Sequence, residues 1–414
     1  VNASSADLTA SLLDDARALH PDIADLRHRL HREPEVGLDL PRTQEKVLGW
    51  LDGLGYEIST GTETTSVTAV LRGGATASSD GERPTVLLRG DMDALPVQEQ
   101  TGQPFSSEID GVMHACGHDL HTSMLAGAAT LLSVRRDRLA GDVVLMFQPG
   151  EEGFDGAGVM IREGVLDAAD RRPDAAFGMH VASALAPSGM VFSRAGAMMS
   201  GSSGLDVTVH GAGGHGSTPF RSKDPVTVAA EIVTALQTLV TRRFDVFDPV
   251  VITVGSLHAG TKRNIIPDDA RIEATVRSFS DQARARLAEI VPPLVRGIAE
   301  SHGLTATVDY RDEYPVTIND AGESDFARGV VTELLGDQRY SAMPNPLAGS
   351  EDFSRVLAAV PGAFLFLSAV PEGVDHETAD YNHSARATFD DAVLADGAAL
   401  YARLAIDRIA VGTR

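Results

Sequence analysis

Between Thr85 and His180 one pattern occurs three times. A short apolar run ends in ligand-type or acidic side chains, and a helical pattern follows or precedes it. Thr85-Val86-Leu87-Leu88 leads to Asp91-Met92-Asp93. Val143-Val144-Leu145-Met146-Phe147 leads to Gln148-Pro149-Gly150-Glu151-Glu152, and Ala175-Ala176-Phe177-Gly178-Met179 ends in His180. The helical patterns cover 120–134 and 157–166. Short strands alternating with helices require an α/β domain with a largely parallel sheet. In such sheets ligands collect beyond the carboxyl ends of the strands. Asp91, Glu151, Glu152 and His180 all stand at those ends.

The pattern changes near residue 195. Strand is expected at 204–210, helix at 225–242, strands at 250–257 and 270–279, helix at 282–302 and strand at 305–310. This strand-helix-strand-strand-helix-strand order is the split arrangement of a ferredoxin-like domain. Phe364-Leu365-Phe366-Leu367 and a closing helix over 391–409 return to α/β. The expected fold is therefore an α/β catalytic domain with a mostly parallel, helix-flanked sheet. It is formed by 1–195 and 309–414 and interrupted by an inserted ferredoxin-like α+β domain at 196–308. At the N-terminus, Leu8, Leu12, Ala16 and Leu19 share a helical face. Pro21 is expected to start a second helix at its first turn, with Thr43 to Leu54 as another. Gly73 to Gly81 reads as a surface loop.

The densest chemistry is His114-Ala115-Cys116-Gly117-His118-Asp119-Leu120-His121. Cys116 and His118, two apart in extended chain, point to one side and can reach one ion. A thiolate beside an imidazole suits zinc, and less readily manganese or magnesium. Cys116 is the only cysteine, so no intrachain disulfide exists and the thiol is a ligand, a nucleophile or an inert core residue. Of the adjacent Glu151 and Glu152, one can hold a metal while the other takes a proton from a metal-activated water. Spacing alone does not say which. His180 and His383 are lone histidines after strand-like segments. Asn382 and Ser384 are positioned to orient His383. Gly211 to Ser217 is a glycine-rich turn presenting His215; it lacks the lysine of a phosphate-binding loop. Arg277 sits in a strand, where it can pair with a protein carboxylate or a substrate carboxylate.

With 58 acidic against 35 basic residues the formal net charge is −23. That disfavours nucleic acid and anionic membrane as partners. No apolar run reaches the roughly 20 residues of a membrane span. Val1 to Asp7 lacks the basic and apolar regions of a signal peptide, so the expected location is cytoplasmic.

Together these segments resemble the M20 metallopeptidase family, in its amidohydrolase branch of aminoacylases, hippurate hydrolases and auxin-conjugate hydrolases. The resemblance runs from His31-Arg32-Glu33-Pro34-Glu35 through Arg89 to Pro96, His114 to His121, Gln148 to Gly153 and Gly178-Met179-His180. It continues through the His215 turn, Asn264 to Pro267 and Gly349 to Phe353, and ends at Asn382-His383-Ser384. It implies a site for two divalent metal ions per subunit, zinc or alternatively manganese, cobalt or nickel. The implied ligands are Cys116, His118, Glu152, His180 and His383. It implies Glu151 as general base and His215 as the group stabilising the tetrahedral oxyanion from a lid domain. Asn264 and Arg277 match lid residues that hold the substrate's carbonyl or carboxylate. Asp93 matches a carboxylate behind the ligands, and Asp91 stands where other branches have a histidine ligand. His114, Asp119 and His121 then lie behind the ligands too. Gly150 replaces a usual alanine, which loosens the backbone before the base.

The implied reaction is hydrolysis of an N-acyl amino acid to a carboxylic acid and a free amino acid, by a homodimer joined through the lid. A dipeptidase or carboxypeptidase on the same scaffold and a non-catalytic binder of amino-acid conjugates are the alternatives.

Overall fold

The computed structural model describes residues 9, 11–76 and 83–412. The Val1 to Asp7 segment, Leu8 and the Ala77 to Gly81 part of the expected loop lie outside the described residues. In chain order the strands of the two main sheets are β1 (Glu57–Thr60), β2 (Val67–Arg72), β3 (Thr85–Asp91), β4 (Asp142–Gln148), β5 (Ala175–Ala182), β6 (Val191–Ser193), β7 (Gly201–His210), β8 (Val250–Ala259), β9 (Asp269–Ser278), β10 (Thr305–Tyr314), β11 (Tyr340–Ala342) and β12 (Gly362–Ser368). They divide between two compact units. One comprises Val1–Gly196, Ile318–Pro344 and Arg355–Arg414; the other comprises Ala197–Thr317 and Asn345–Ser354.

The first unit holds an eight-stranded sheet in the order β1-β2-β4-β3-β5-β12-β6-β11. Its centre, β4-β3-β5-β12, is parallel. These strands are buried at nearly every position, because helices cover both faces and a parallel centre has no wet side. The chain passes from β3 to β4 on one side, then crosses to β5 on the other. The strand order thus reverses at β3, and such a reversal opens a crevice at the carboxyl ends. Register sets the level of that crevice. Asp91 pairs with Gln148 across β3 and β4, while β3 and β5 stay paired only as far as Arg89 and Gly178. Beyond that point the two strands part.

The helices Leu12–Arg32, His118–Ser133 and Val393–Val411 pack on one another against this sheet. Pro21 does not start a second helix; it lies inside the single helix Leu12–Arg32. Leu12, Ala16, Ile23, Leu26 and Leu30 form one buried stripe across it. Burying that stripe outweighs the roughly 3 kcal/mol cost of an interior proline. The strands β1 and β2 and the helix Ala321–Leu335 carry no clear sequence signal.

In the second unit the sheet order is β8-β9-β7-β10, antiparallel throughout. The helices Pro225–Arg243 and Asp281–Ser301 complete the split arrangement over their own core. This unit extends past residue 308, because β10 runs to Tyr314 as an edge of its sheet, and it also takes in Asn345–Ser354.

Candidate active site

The carboxyl ends of β3, β4 and β5, the start of the helix His118–Ser133 and the loop at His383 bring six side chains together. The donor atoms of Cys116, His118 and His180 lie within 4.8 Å of one another, as do those of Cys116, Glu152 and His383, and those of His118, Glu151 and Glu152. His180 Nε2 is 3.4 Å and His383 Nε2 3.3 Å from Cys116 Sγ. His383 Nε2 is also 3.1 Å from Glu152 Oε1. The thiol therefore belongs to two overlapping groups of donors. These residues stand 267 positions apart at the extremes (Cys116 to His383), and only the fold joins them.

Local backbone explains how so many donors share one spot. Gly117 takes φ +84 as the residue before the helix, and a Cβ there would meet Val181 Cγ2 at 2.4 Å. Glycine alone allows that approach, which lets Cys116 and His118 turn towards one point. His383 itself has φ +74, a left-handed conformation that a non-glycine residue holds only when its surroundings impose it. The His383 N–H donates to Ala115 O at 2.8 Å. Asn382 Nδ2 donates to Cys116 O at 3.1 Å and Val181 O at 3.0 Å, and its Oδ1 accepts the Ser183 N–H at 2.9 Å. The sequence suggested that Asn382 and Ser384 orient the His383 ring, but their hydrogen bonds go elsewhere. Asn382 ties together the backbones that carry the donors, and Ser384 Oγ bonds Asp380.

Behind the donors, Asp93 accepts the Glu151 N–H at 3.0 Å and the Glu152 N–H at 3.1 Å, one on each oxygen. It also stands 3.4 Å from His118 Nδ1. One carboxylate thus sets both glutamates and faces the back of an imidazole. Asp119 is buried in an ionic cluster: Arg27 Nε and His31 Nδ1 each donate to its Oδ2 at 2.9 Å. The charges of Arg27 and His31 overcome burial and hold Asp119 well below the usual carboxylate range. His114 is buried with neither ring nitrogen bonded; burial pushes its pKa down to about 3, so it is neutral.

The donor set fits divalent metal. His118 is fully buried, and carboxylates face both its nitrogens, Asp93 Oδ1 at 3.4 Å from Nδ1 and Asp91 Oδ2 at 3.5 Å from Nε2, yet neither contact has hydrogen-bond geometry. A buried imidazole that makes no well-formed hydrogen bond is costly unless something else takes its lone pair. Burial opposes charge on His118, yet Asp91 and Cys116 raise its pKa well above the ordinary value. The surroundings are rich enough in negative charge to favour a cation. Sulfur, imidazole and carboxylate donors together match a first-row transition metal.

In the second unit, Gly214–His215 pairs with Ile265–Ile266, and the Gly216 N–H donates to Asn264 O at 2.9 Å. His215 and Asn264 therefore sit on one small ribbon. The Ser217 N–H donates to His215 Nδ1 at 3.1 Å. A backbone N–H can meet only an unprotonated nitrogen, so the proton of the neutral ring is on Nε2, which makes that atom a donor. Arg277 is half-buried, and burial lowers its pKa. Its guanidinium lies 3.5 Å from Ser350 Oγ, with the charge of Glu313 nearby.

Sequence reasoning assigned no role to Arg89, Arg27 or Glu99. A signal existed for Arg89: a charged residue inside a buried apolar run demands a buried partner. Arg27 and Glu99 carry no such signal, because their partner Asp119 and the linking His31 are remote in sequence.

Residues 87–407 match Peptidase family M20/M25/M40. Thermostable carboxypeptidase 1 of Saccharolobus solfataricus is 37% identical over 406 residues, covering 97% of this chain and 98% of that protein. The hippurate hydrolase of Campylobacter jejuni is 35% identical over 399 residues, 96% of this chain and 99% of its own. IAA-amino acid hydrolase ILR1-like 4 of Arabidopsis thaliana is 36% identical over 384 residues, 92% and 84%. Among solved structures, one from methicillin-resistant Staphylococcus aureus superposes with a TM-score of 0.87 at 30% identity over 97% of this chain and all of that one. The Bacillus subtilis YXEP protein, described as a dinuclear metal binding peptidase from the M20 family, gives 0.77 at 30% identity over 94% and 98%. No helix among the described residues is long and apolar enough to cross a membrane.

Proposed function

The chain belongs to peptidase family M20/M25/M40, and from that membership and the donor cluster we propose how it hydrolyses the amide bond of N-acyl amino acids to a carboxylic acid and a free amino acid. It is a metal-dependent amidohydrolase, and its donor clusters suggest two metal ions. The observation that carries the residue assignment is the overlap of two donor groups on Cys116, with Glu151 and Glu152 beside them.

Cys116, His118, Glu152, His180 and His383 would hold the ions. Zinc suits the sulfur donor best. When bound, such ions acidify a water and polarise a carbonyl. Glu151 takes the water's proton and delivers it to the leaving amine. It is buried, and its backbone is fixed by Asp93, so its carboxylate is presented without a large ordering cost. His215 donates from Nε2 to the developing oxyanion. Asn264 and Arg277 hold the substrate's carbonyl and carboxylate, the latter by a bidentate guanidinium contact. The thiol must stay reduced to bind, which fits the cytoplasm.

We assign the second unit the role of a lid that also joins a homodimer. Support comes from β8, which lies at the edge of its sheet and among the described residues pairs only with β9; such an edge can pair with a second copy. Light scattering should give twice the chain mass, and a monomer at working concentration would remove this assignment.

The deciding test is Glu151→Gln. Metal content should stay at two ions while turnover falls at least a hundredfold, in the range typical for a lost general base. An active variant would refute the role. A panel of N-acetyl, N-benzoyl and long-chain N-acyl amino acids, run against unblocked dipeptides, separates the amidohydrolase from a peptidase. The similarity to a carboxypeptidase keeps the second reading in the panel, and a requirement for a free α-amine would select it.

A further inference from the structure

Asp91 and His121 lie side by side at the heart of the first unit, and neither is among the proposed ligands, although Asp91 Oδ2 also stands 3.5 Å from His118 Nε2. Both are fully buried. His121 Nδ1 donates to Asp91 Oδ1 at 2.5 Å, and Arg89 Nη1 stands 2.7 Å from Asp91 Oδ2. Arg89 is held in turn by Gln148 Oε1 at 2.9 Å. The other nitrogen of His121 is also occupied: Nε2 accepts the Val181 N–H at 2.7 Å. With both nitrogens used, His121 has no lone pair to offer an ion, although its atoms lie among candidate ligands.

The Val181 peptide is where this chain of bonds meets the donor cluster. β3 stops pairing with β5 at Arg89 and Gly178, so the Val181 N–H has no strand partner on that side. A buried N–H without a partner is costly, and His121 supplies the acceptor. The neighbouring acceptor, Val181 O, takes a hydrogen bond from His180 Nδ1 at 2.7 Å and another from Asn382 Nδ2 at 3.0 Å. The proton of His180 is thereby placed on Nδ1, and its Nε2 lone pair faces the Cys116 thiol. The ring is confined on its faces as well, with His121 at 4.6 Å edge-on and Phe366 stacked at 5.2 Å between centroids.

We propose that Asp91 and His121 are positioning residues that act through the Val181 backbone to set the ring and tautomer of His180, and so the affinity of one of the two metal positions. Without His121 the residue-181 N–H loses its acceptor, the local strand is free to turn, and the bond that orients His180 goes with it. Hydrogen-bonded groups behind a ligand typically account for 10–100-fold in metal affinity. The inference rests on the assignment of His180 as a ligand.

The test loads the full-length protein with cobalt(II) and reads stoichiometry, affinity by chelator competition, and the visible absorption of the cobalt sites. His121→Phe should weaken one of the two ions by 10–100-fold and change the spectrum even at saturating cobalt. His121→Gln, which can still offer an acceptor to the Val181 N–H, should recover most of both. Asp91→Asn should fall between them. Ser123→Ala lies on the same buried helix with an unbonded hydroxyl; it controls for packing and should leave both readouts unchanged. Wild-type affinity and spectrum in His121→Phe overturn the inference, whatever happens to its melting temperature. If His121→Phe does not fold, unchanged values in both His121→Gln and Asp91→Asn relative to Ser123→Ala overturn it equally. His180→Ala distinguishes the premise. Two tightly bound ions in that variant overturn the ligand assignment and this inference with it. One lost ion there, with none weakened in His121→Phe, overturns this inference alone.

Discussion

A histidine has two ring nitrogens, and what one of them holds decides what the other can do. His180 gives its proton to Val181 O and keeps a lone pair towards Cys116, while His215 accepts a backbone N–H and is left a donor. The same residue type thus becomes a candidate ligand in one place and a candidate oxyanion donor in another, which spacing alone does not reveal. Gly150 shows the same dependence on surroundings. It takes φ +70, and a Cβ there would meet Leu38 Cδ2 at 2.5 Å. Rather than loosening the backbone before the base, this glycine occupies a conformation that alanine adopts at a cost of about 1–2 kcal/mol. Gly150→Ala should lower stability by roughly that amount or more, read by denaturant unfolding, and reduce kcat by displacing Glu151. Unchanged stability would show that Leu38 and the turn adapt freely.

At the scale of elements, the parting of β3 and β5 is bridged by one side chain from the C-terminal helix. Tyr401 Oη donates to Arg89 O at 2.7 Å and accepts the Met179 N–H at 2.9 Å. Tyr401→Phe removes the bridge without removing the ring. Two buried backbone groups are left unpaired, so stability should fall by about 1–3 kcal/mol, measured by chemical denaturation; a change below a few tenths would mean that water replaces the hydroxyl. A second bridge joins the helix Leu12–Arg32 to the start of the helix His118–Ser133 through Asp119, with His31 reaching on to Glu99. Burial opposes ionisation of Glu99, but hydrogen bonds from His31, Thr101 and the Ser107 N–H bring its pKa from 4.5 to about 2. A depressed carboxylate contributes stability above its unfolded pKa and loses it as pH falls through the folded value. The destabilisation caused by Glu99→Gln should therefore be full at pH 6 and shrink between about pH 4.5 and pH 2. A pH-independent difference in melting temperature would argue that packing, not charge, is what the substitution removes. His31 carries the opposite sign: its pKa is raised by Asp119 and Glu99 against burial, so its contribution fades as pH rises above the ordinary histidine range.

At the scale of the whole molecule, a chain read as α/β with an interruption folds into two compact units, each with its own core. On the proposed ligand set of Cys116, His118, Glu152, His180 and His383, bound ions would cross-link four separate stretches of chain. A ligand that binds only the folded state stabilises it by about 2.7 kcal/mol when present at a hundred times its dissociation constant. Chelation followed by dialysis should therefore lower the melting temperature by several degrees, and adding back zinc or manganese should restore it; an unmoved transition would mean that the ions do not brace the fold. The alternation of apolar runs and helical patterns from Thr85 to His180 was enough to specify a parallel sheet with ligand-type residues at its carboxyl ends, because side-chain burial obeys local periodicity. The kinds of donor were likewise legible, since thiol, imidazole and carboxylate are properties of residues. Their grouping was not. That Cys116 meets both His180 and His383, that His121 spends both nitrogens on Asp91 and Val181, and that Pro21 stays inside a helix are decided by atoms brought together from distant parts of the chain. Hydrogen-bond direction and packing are pairwise quantities, and a linear sequence lists the members of each pair without joining them.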